Sequence, residues 1–159
     1  MAANEIAEVW MYFGKTVDDA KAKYKVLDIR YNYRQSIDSH GRAVSRVAFG
    51  TVVITLEAGN HVDLIMDWMA SHTAREYILL TFGASGSITK RLTLEDAFCH
   101  SYDEHYSHDK PIPSRLTIMV NSPHVEMNGA NPVTEGWYDP QKNRKSTEVT
   151  TVQHGEETT

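Results

Sequence analysis

Thr51-Val52-Val53-Ile54-Thr55-Leu56-Glu57 runs through Ala58-Gly59-Asn60 into His61-Val62-Asp63-Leu64-Ile65-Met66-Asp67-Trp68-Met69-Ala70-Ser71-His72. The first half has a period of two, with Val52, Ile54 and Leu56 on one face and Thr51, Val53 and Thr55 on the other, which reads as a strand. Gly59 breaks it, and Asn60 is placed to cap a helix. That helix is the only one the chain predicts. Its polar stripe is just Asp63 and Asp67, whereas a surface helix usually shows one apolar face. A small barrel covers one side of such a helix, so the rest is expected to meet a neighbouring subunit. Trp68 and Met69 are then expected to lose exposure on assembly.

Outward from this stretch, the chain reads as strand after strand. Glu8 to Phe13 is short and aromatic. Thr16 to Lys23 is polar with alanines and is expected to hold a helical turn capped by Thr16. In Tyr24 to Arg34, Leu27, Ile29, Tyr31 and Tyr33 alternate with Asp28, Arg30, Asn32 and Arg34, predicting one buried face. Gln35 to Arg46 is a polar connection, and Gly50 marks a bend in the strand that follows. Glu76 to Phe82 and Ile88 to Leu94 flank a Gly83–Ser87 turn. Glu95 to Tyr106 continues as strand, and Arg115 to Asn121 is another, extended by Val125 to Met127. The fold class is mainly β: a small antiparallel β-barrel with one α-helix packed at its side. A barrel removes the exposed edges that a strand such as Thr51–Leu56 would make hazardous.

Large apolar residues are sparse after Met127. The expected division is therefore a barrel domain at 1–127 and a polar C-terminal extension at 128–159, which alone has the composition of a disordered segment.

The 159 residues suit one domain with a real core. A formal net charge of -5 with scattered Lys and Arg argues against a nucleic-acid partner, which needs a concentrated basic patch. Cys99 is the one cysteine, so no intrachain disulfide forms, and the thiol reads as a small core side chain. Met1 to Val9 lacks a basic, then apolar, signal pattern, and no apolar run is long enough to insert into a bilayer. The expectation is a chain without a signal peptide, cytoplasmic on synthesis.

The densest set of potential metal ligands is His100, Asp103, Glu104, His105, His108 and Asp109. Strand geometry sends His100 and His105 to opposite faces, and zinc needs three or four converging ligands, so no metal site is assigned. Gly83-Ala84-Ser85-Gly86-Ser87 lacks the spacing and the strand-to-helix context of a nucleophile elbow. No phosphate loop or dinucleotide fingerprint occurs. The chain is expected not to be an enzyme: no catalytic residue and no cofactor is assigned.

A resemblance becomes specific across Tyr24 to Met127. Tyr24-Lys25-Val26-Leu27-Asp28 is followed by Gln35-Ser36-Ile37-Asp38, Gly41-Arg42 and Ser45-Arg46-Val47. Then come the long Thr/Val strand, a helix with Asp67-Trp68-Met69, the run Leu92-Thr93-Leu94-Glu95-Asp96-Ala97, and the Asp/Glu/Tyr-rich strand Tyr102–Tyr106. In order and spacing these resemble the tube protein of the type VI secretion system, Hcp (TssD), in its Bacteroidetes form. The resemblance implies homohexameric rings stacked into a tube within a contractile sheath, tipped by a spike, with effector proteins in the lumen. It implies export through that apparatus. It also implies a ring-stacking role for the 35–46 connection: Gln35, Asp38, His40, Gly41, Arg42 and Arg46. Arg42 and Arg46 are expected to pair with acids on the next ring, such as Asp103 or Glu104. The subunit interface is expected to use Leu64, Trp68, Met69, Tyr31 and Tyr33.

Two alternatives stand beside this reading. One is a monomeric barrel holding a small apolar ligand against Leu27, Ile29 and Phe98. The other is a specialised tube paralogue that carries effectors through its 128–159 tail.

Overall fold

The computed structural model describes residues 7–59, 62–71, 74–109 and 114–135. Its elements are β1 (Ala7–Tyr12), β2 (Lys23–Arg30), β3 (Tyr33–Arg34), β4 (Ala48–Phe49), β5 (Val52–Glu57), α1 (Val62–Ala70), β6 (Arg75–Ala84), β7 (Ser87–Tyr106), β8 (Ser114–Asn121), β9 (His124–Met127) and β10 (Ala130–Thr134). Asn60, expected to cap the helix, lies outside the described residues.

The alternation that opens the chain's reading sets the core. On β5, Val52, Ile54 and Leu56 have no exposed surface. They face Val120, Ile118 and Leu116 of β8 across an antiparallel register. On β6, Ile78 and Leu80 pair with Leu94 and Leu92 of β7, and all four are fully buried. Such cross-strand apolar pairs are what hold a sheet together. The strands run β7-β6-β1-β2-β5-β8, and β8 pairs back onto β7, closing a six-stranded antiparallel barrel.

Side chains fill this barrel. The interior lining expected of a ligand-binding barrel does not form: Leu27 and Ile29 are only half-buried, and Phe98 is 42% exposed. A bulge between Val26 and Asp28 explains the first two. Before it, Ala22, Tyr24 and Val26 point inward; beyond it, Ile29 and Tyr31 pack against the core. One extra residue shifts the side-chain phase by one, so a single alternating face along β2 was too simple.

At 20 residues, β7 organises the rest. Its first part pairs with β6 on one edge and, from Leu92 to Glu95, with β9 on the other. From Phe98 onward that second edge pairs with β8. The change of partner falls at Asp96, whose φ is 50°. Past Ala97 β6 has ended, and α1 lies against β7 there.

Two tight hairpins carry left-handed backbone at both turn residues, Ser85-Gly86 and Asn128-Gly129. This is the twist that two-residue hairpins need. At Gly83 a Cβ would come within 1.9 Å of the Ser87 carbonyl oxygen, so only glycine fits beside the first turn. The second hairpin joins β9 to β10, so the sheet runs through Thr134 and crosses the Met127 boundary expected from composition. The rest of the expected extension, residues 136–159, lies outside the described residues. Met127 does not extend β8 either; β9 pairs with β7.

Candidate assembly surfaces

The 35–46 connection is a β-hairpin arm. Tyr33 and Arg34 pair with Phe49 and Ala48 at its base, and Ile37 bridges Ala43 near its end. The tip is closed by Asp38. One carboxylate oxygen accepts the backbone N–H groups of His40 and Arg42 at 2.8 and 2.9 Å, and the other accepts Arg42 Nε–H at 3.0 Å. Gly41 turns the chain with φ 79°. Those backbone N–H groups, Arg42 first, hold the Asp38 carboxyl below the ordinary carboxylate range. Gln35 Nε2 donates to the Ser45 carbonyl at 3.0 Å, and the Ser36 N–H donates to Ser45 Oγ at 2.8 Å.

The arm is braced where it leaves the barrel. Tyr31 stacks on Phe49 at 5.8 Å, and Tyr33 meets the same ring edge-on at 5.0 Å. Lys90 Nζ donates to the Tyr31 hydroxyl at 2.7 Å and sits 4.4 Å from the Phe82 ring centroid. Gly50 donates its N–H to the Asn32 carbonyl at 2.9 Å, and a Cβ on Gly50 would meet Asn32 Oδ1 at 2.4 Å. Tyr31 is half-buried among these contacts, while Tyr33 keeps 39% of its surface.

The connection is polar in composition, but two of its most exposed side chains are apolar. Ile37 is 66% exposed and Val44 61%, more than most apolar side chains among the described residues. Arg42, expected to reach acids on another ring, already pairs with Asp38 at 3.0 Å. Glu104, one of its expected partners, accepts the Tyr102 hydroxyl and a bond from Tyr106, which lower its pKa. His40, Gly41 and Arg46 are exposed.

The helix also departs from expectation. Trp68 is 3% exposed within its own chain. Its indole N–H donates to the Ala97 carbonyl at 2.9 Å, and Phe13 lies edge-on at 5.5 Å. Trp68 therefore has almost no surface to offer a neighbour. The apolar excess of the helix covers β7 where β6 stops. Leu64 and Met69 are half-buried, and Asp63, Met66 and Asp67 are exposed.

The histidines do not converge on an ion: no group of three or more His, Cys, Asp or Glu suited to a metal occurs among the described residues. His100 Nε2 lies 2.6 Å from Asn121 Oδ1, and His108 pairs with Asp109. His124, which no spacing in the sequence singles out, lies in a cleft of about 510 Å³ with Glu95, Glu126, Arg91 and Lys15. Its Nδ1 lies 2.6 Å from Thr134 Oγ1, and its Nε2 lies 3.1 Å from Glu126 and 3.8 Å from Glu95. These contacts tie β9 and β10 to β7.

A hairpin arm, a braced side helix and an antiparallel barrel packed with side chains define a class of small β-barrel protein. The chain belongs to the Hcp (TssD) family of type VI secretion tube proteins: the family described as "Hemolysin coregulated protein Hcp (TssD)" matches residues 8–137. In fold the chain is similar to Hcp1 from Flavobacterium johnsoniae, with a TM-score of 0.65 and 23% identity over 82% of this chain and 99% of that one. It is also similar to Hcp1 from Salmonella typhimurium (TM-score 0.58, 18% identity, 77% and 86% covered). The secreted protein Hcp3 from Pseudomonas aeruginosa shares the fold as well (TM-score 0.53, 12% identity, 84% and 100% covered). No curated protein sequence matches significantly. Among the described residues, no helix is long and apolar enough to cross a membrane.

Proposed function

We propose that this chain is a structural subunit of a type VI secretion tube that closes into homohexameric rings. The rings stack, and effectors travel in the lumen. The observation that carries the reading is the arm: a braced hairpin holding Ile37 and Val44 away from the barrel at 66% and 61% exposure. Isolated apolar residues are common on surfaces, but an ordered projection built to display them calls for a partner. Membership of the Hcp family supports further copies of the chain as that partner.

Closed rings need heterologous contacts, in which one patch meets a different patch on the neighbour. Leu64, Met69 and Tyr33 retain surface for such contacts. Sheath, spike and effector proteins are the further partners in this reading. Synthesis in the cytoplasm precedes export through the apparatus.

Electron microscopy of the purified protein tests the proposal. Six-fold rings, in register as short tubes at high concentration, are expected. A field of single barrels at every concentration would exclude it.

A further inference from the structure

Phe98 faces away from the core. Its neighbours Ala97 and Cys99 are buried, and alternation along β7 sends Phe98 the other way, where 42% of it stays exposed. It lines a cleft of about 240 Å³ with Phe49, Asn121, Ser122, Pro123 and Glu135. The described chain arrives at this cleft. The Glu135 N–H donates to the Pro123 carbonyl at 2.8 Å, which fixes the chain beside it just after β10. A lone exposed Phe needs no explanation. A Phe-lined cleft where the chain leaves the sheet gains meaning from the residues that come next.

The sequence continues Gly136-Trp137-Tyr138. Trp137 stands two residues past Glu135, a reach of at most about 7 Å, and Gly136 lets the backbone turn in either direction. Trp137 and Tyr138 are the last Trp or Tyr of the chain, and no Phe follows them. The cleft lining is half apolar, with Phe49, Phe98 and Pro123, and half polar, with Asn121, Ser122 and Glu135. That mixture suits an indole, which has an apolar body and one N–H donor.

We propose that this cleft is the seat of Trp137 of the same chain, whose ring packs on Phe98 and anchors the 138–159 segment to the barrel. The same chain is favoured over a second copy because a two-residue tether keeps Trp137 at high effective concentration beside the cleft. The inference concerns a single chain and does not depend on the tube-subunit reading.

Two measurements on the full chain test it. Fluorine NMR of protein labelled with fluorotryptophan reports the three tryptophans, Trp10, Trp68 and Trp137, and Trp137→Phe identifies the third resonance. That resonance is expected to lie away from its position in the urea-unfolded chain, and Phe98→Ser is expected to return it there with Trp10 and Trp68 unmoved. A Trp137 resonance at the unfolded position in the wild type, or one that Phe98→Ser leaves in place, overturns the proposal. The second measurement keeps an aromatic group at the position: a benzophenone amino acid replaces Phe98, and the protein is irradiated. A cross-link to residues 136–138 within a product of one chain mass is expected. The same cross-link in a two-chain product gives the seat to a second copy and overturns the same-chain assignment. Cross-links that omit residues 136–138 overturn the seat altogether.

Discussion

The indole N–H of Trp68 donates to the backbone carbonyl of Ala97 at 2.9 Å, and both residues are buried. The bond joins the only helix among the described residues to β7 at its last pair with β6, Arg75–Ala97. Buried polar backbone groups must be satisfied, and a sheet edge must be paired or covered. Replacing Trp68 by Phe removes the donor and leaves the Ala97 carbonyl without it, so a loss of ~1–3 kcal/mol is expected. Urea unfolding of wild type and Trp68→Phe measures it. Ring mass in native buffer, below the unfolding transition, is expected to be unchanged.

Asn128 has two jobs in the β9–β10 hairpin. It turns the chain at φ 54°, and it clamps Arg91, accepting the Arg91 N–H on Oδ1 and donating its own N–H to the Arg91 carbonyl, both at 2.7 Å. Asn128→Ala loses the side-chain bond and the residue type that tolerates this conformation, at a cost of ~1–3 kcal/mol. Hydrogen exchange is expected to speed up in residues 124–134 and not in β5 or β8. Uniform acceleration would show that the hairpin is no separate unit.

Asp38 gives the arm a pH dependence of known sign. Its folded pKa lies below the ordinary value of 3.8 because the Arg42 and His40 N–H groups favour the carboxylate, with the guanidinium adding to them. A depressed carboxyl contributes stability that is present above the unfolded pKa and lost as pH falls through the folded one. The turn is thus expected to hold across neutral and mildly acidic pH and to open only below the ordinary carboxylate range. Amide chemical shifts of His40 and Arg42 across an acid titration report it. A midpoint at or above 3.8 contradicts the assignment.

Salt separates the two chemistries proposed for stacking. Ion pairs between rings would be screened, whereas apolar contacts are not. Because Arg42 is already paired with Asp38, tube yield is expected to stay level or rise with added NaCl. Arg42→Glu places two carboxylates in one turn and is expected to lower stacking at low and high salt alike, by opening the arm. A wild-type yield that falls steeply with salt would restore intermolecular ion pairs.

Where burial on one face dictated the pattern, the sequence was readable. Val52, Ile54 and Leu56 and their β8 partners announced the barrel, and Thr16 caps its turn through the Asp19 N–H at 3.2 Å. Three features were harder. On β2, one bulged residue moved the inward phase from Val26 to Ile29, and the alternating pattern conceals that slip. Helix α1 was read as too apolar for its barrel because one sequence cannot show that β7 outruns β6 and needs cover at Ala97. Asn128-Gly129 was a direct hairpin signal, masked by the polar composition that follows it. In the arm, Ile37 and Val44 were diluted among polar neighbours, and only their exposure gives them meaning.

The central claim is that this chain closes on itself as a ring of six. Light scattering coupled to size-exclusion chromatography of the full chain tests it most directly. The account predicts a single species of six times the chain mass, holding as the protein is diluted. A species of one chain mass at every concentration would contradict it.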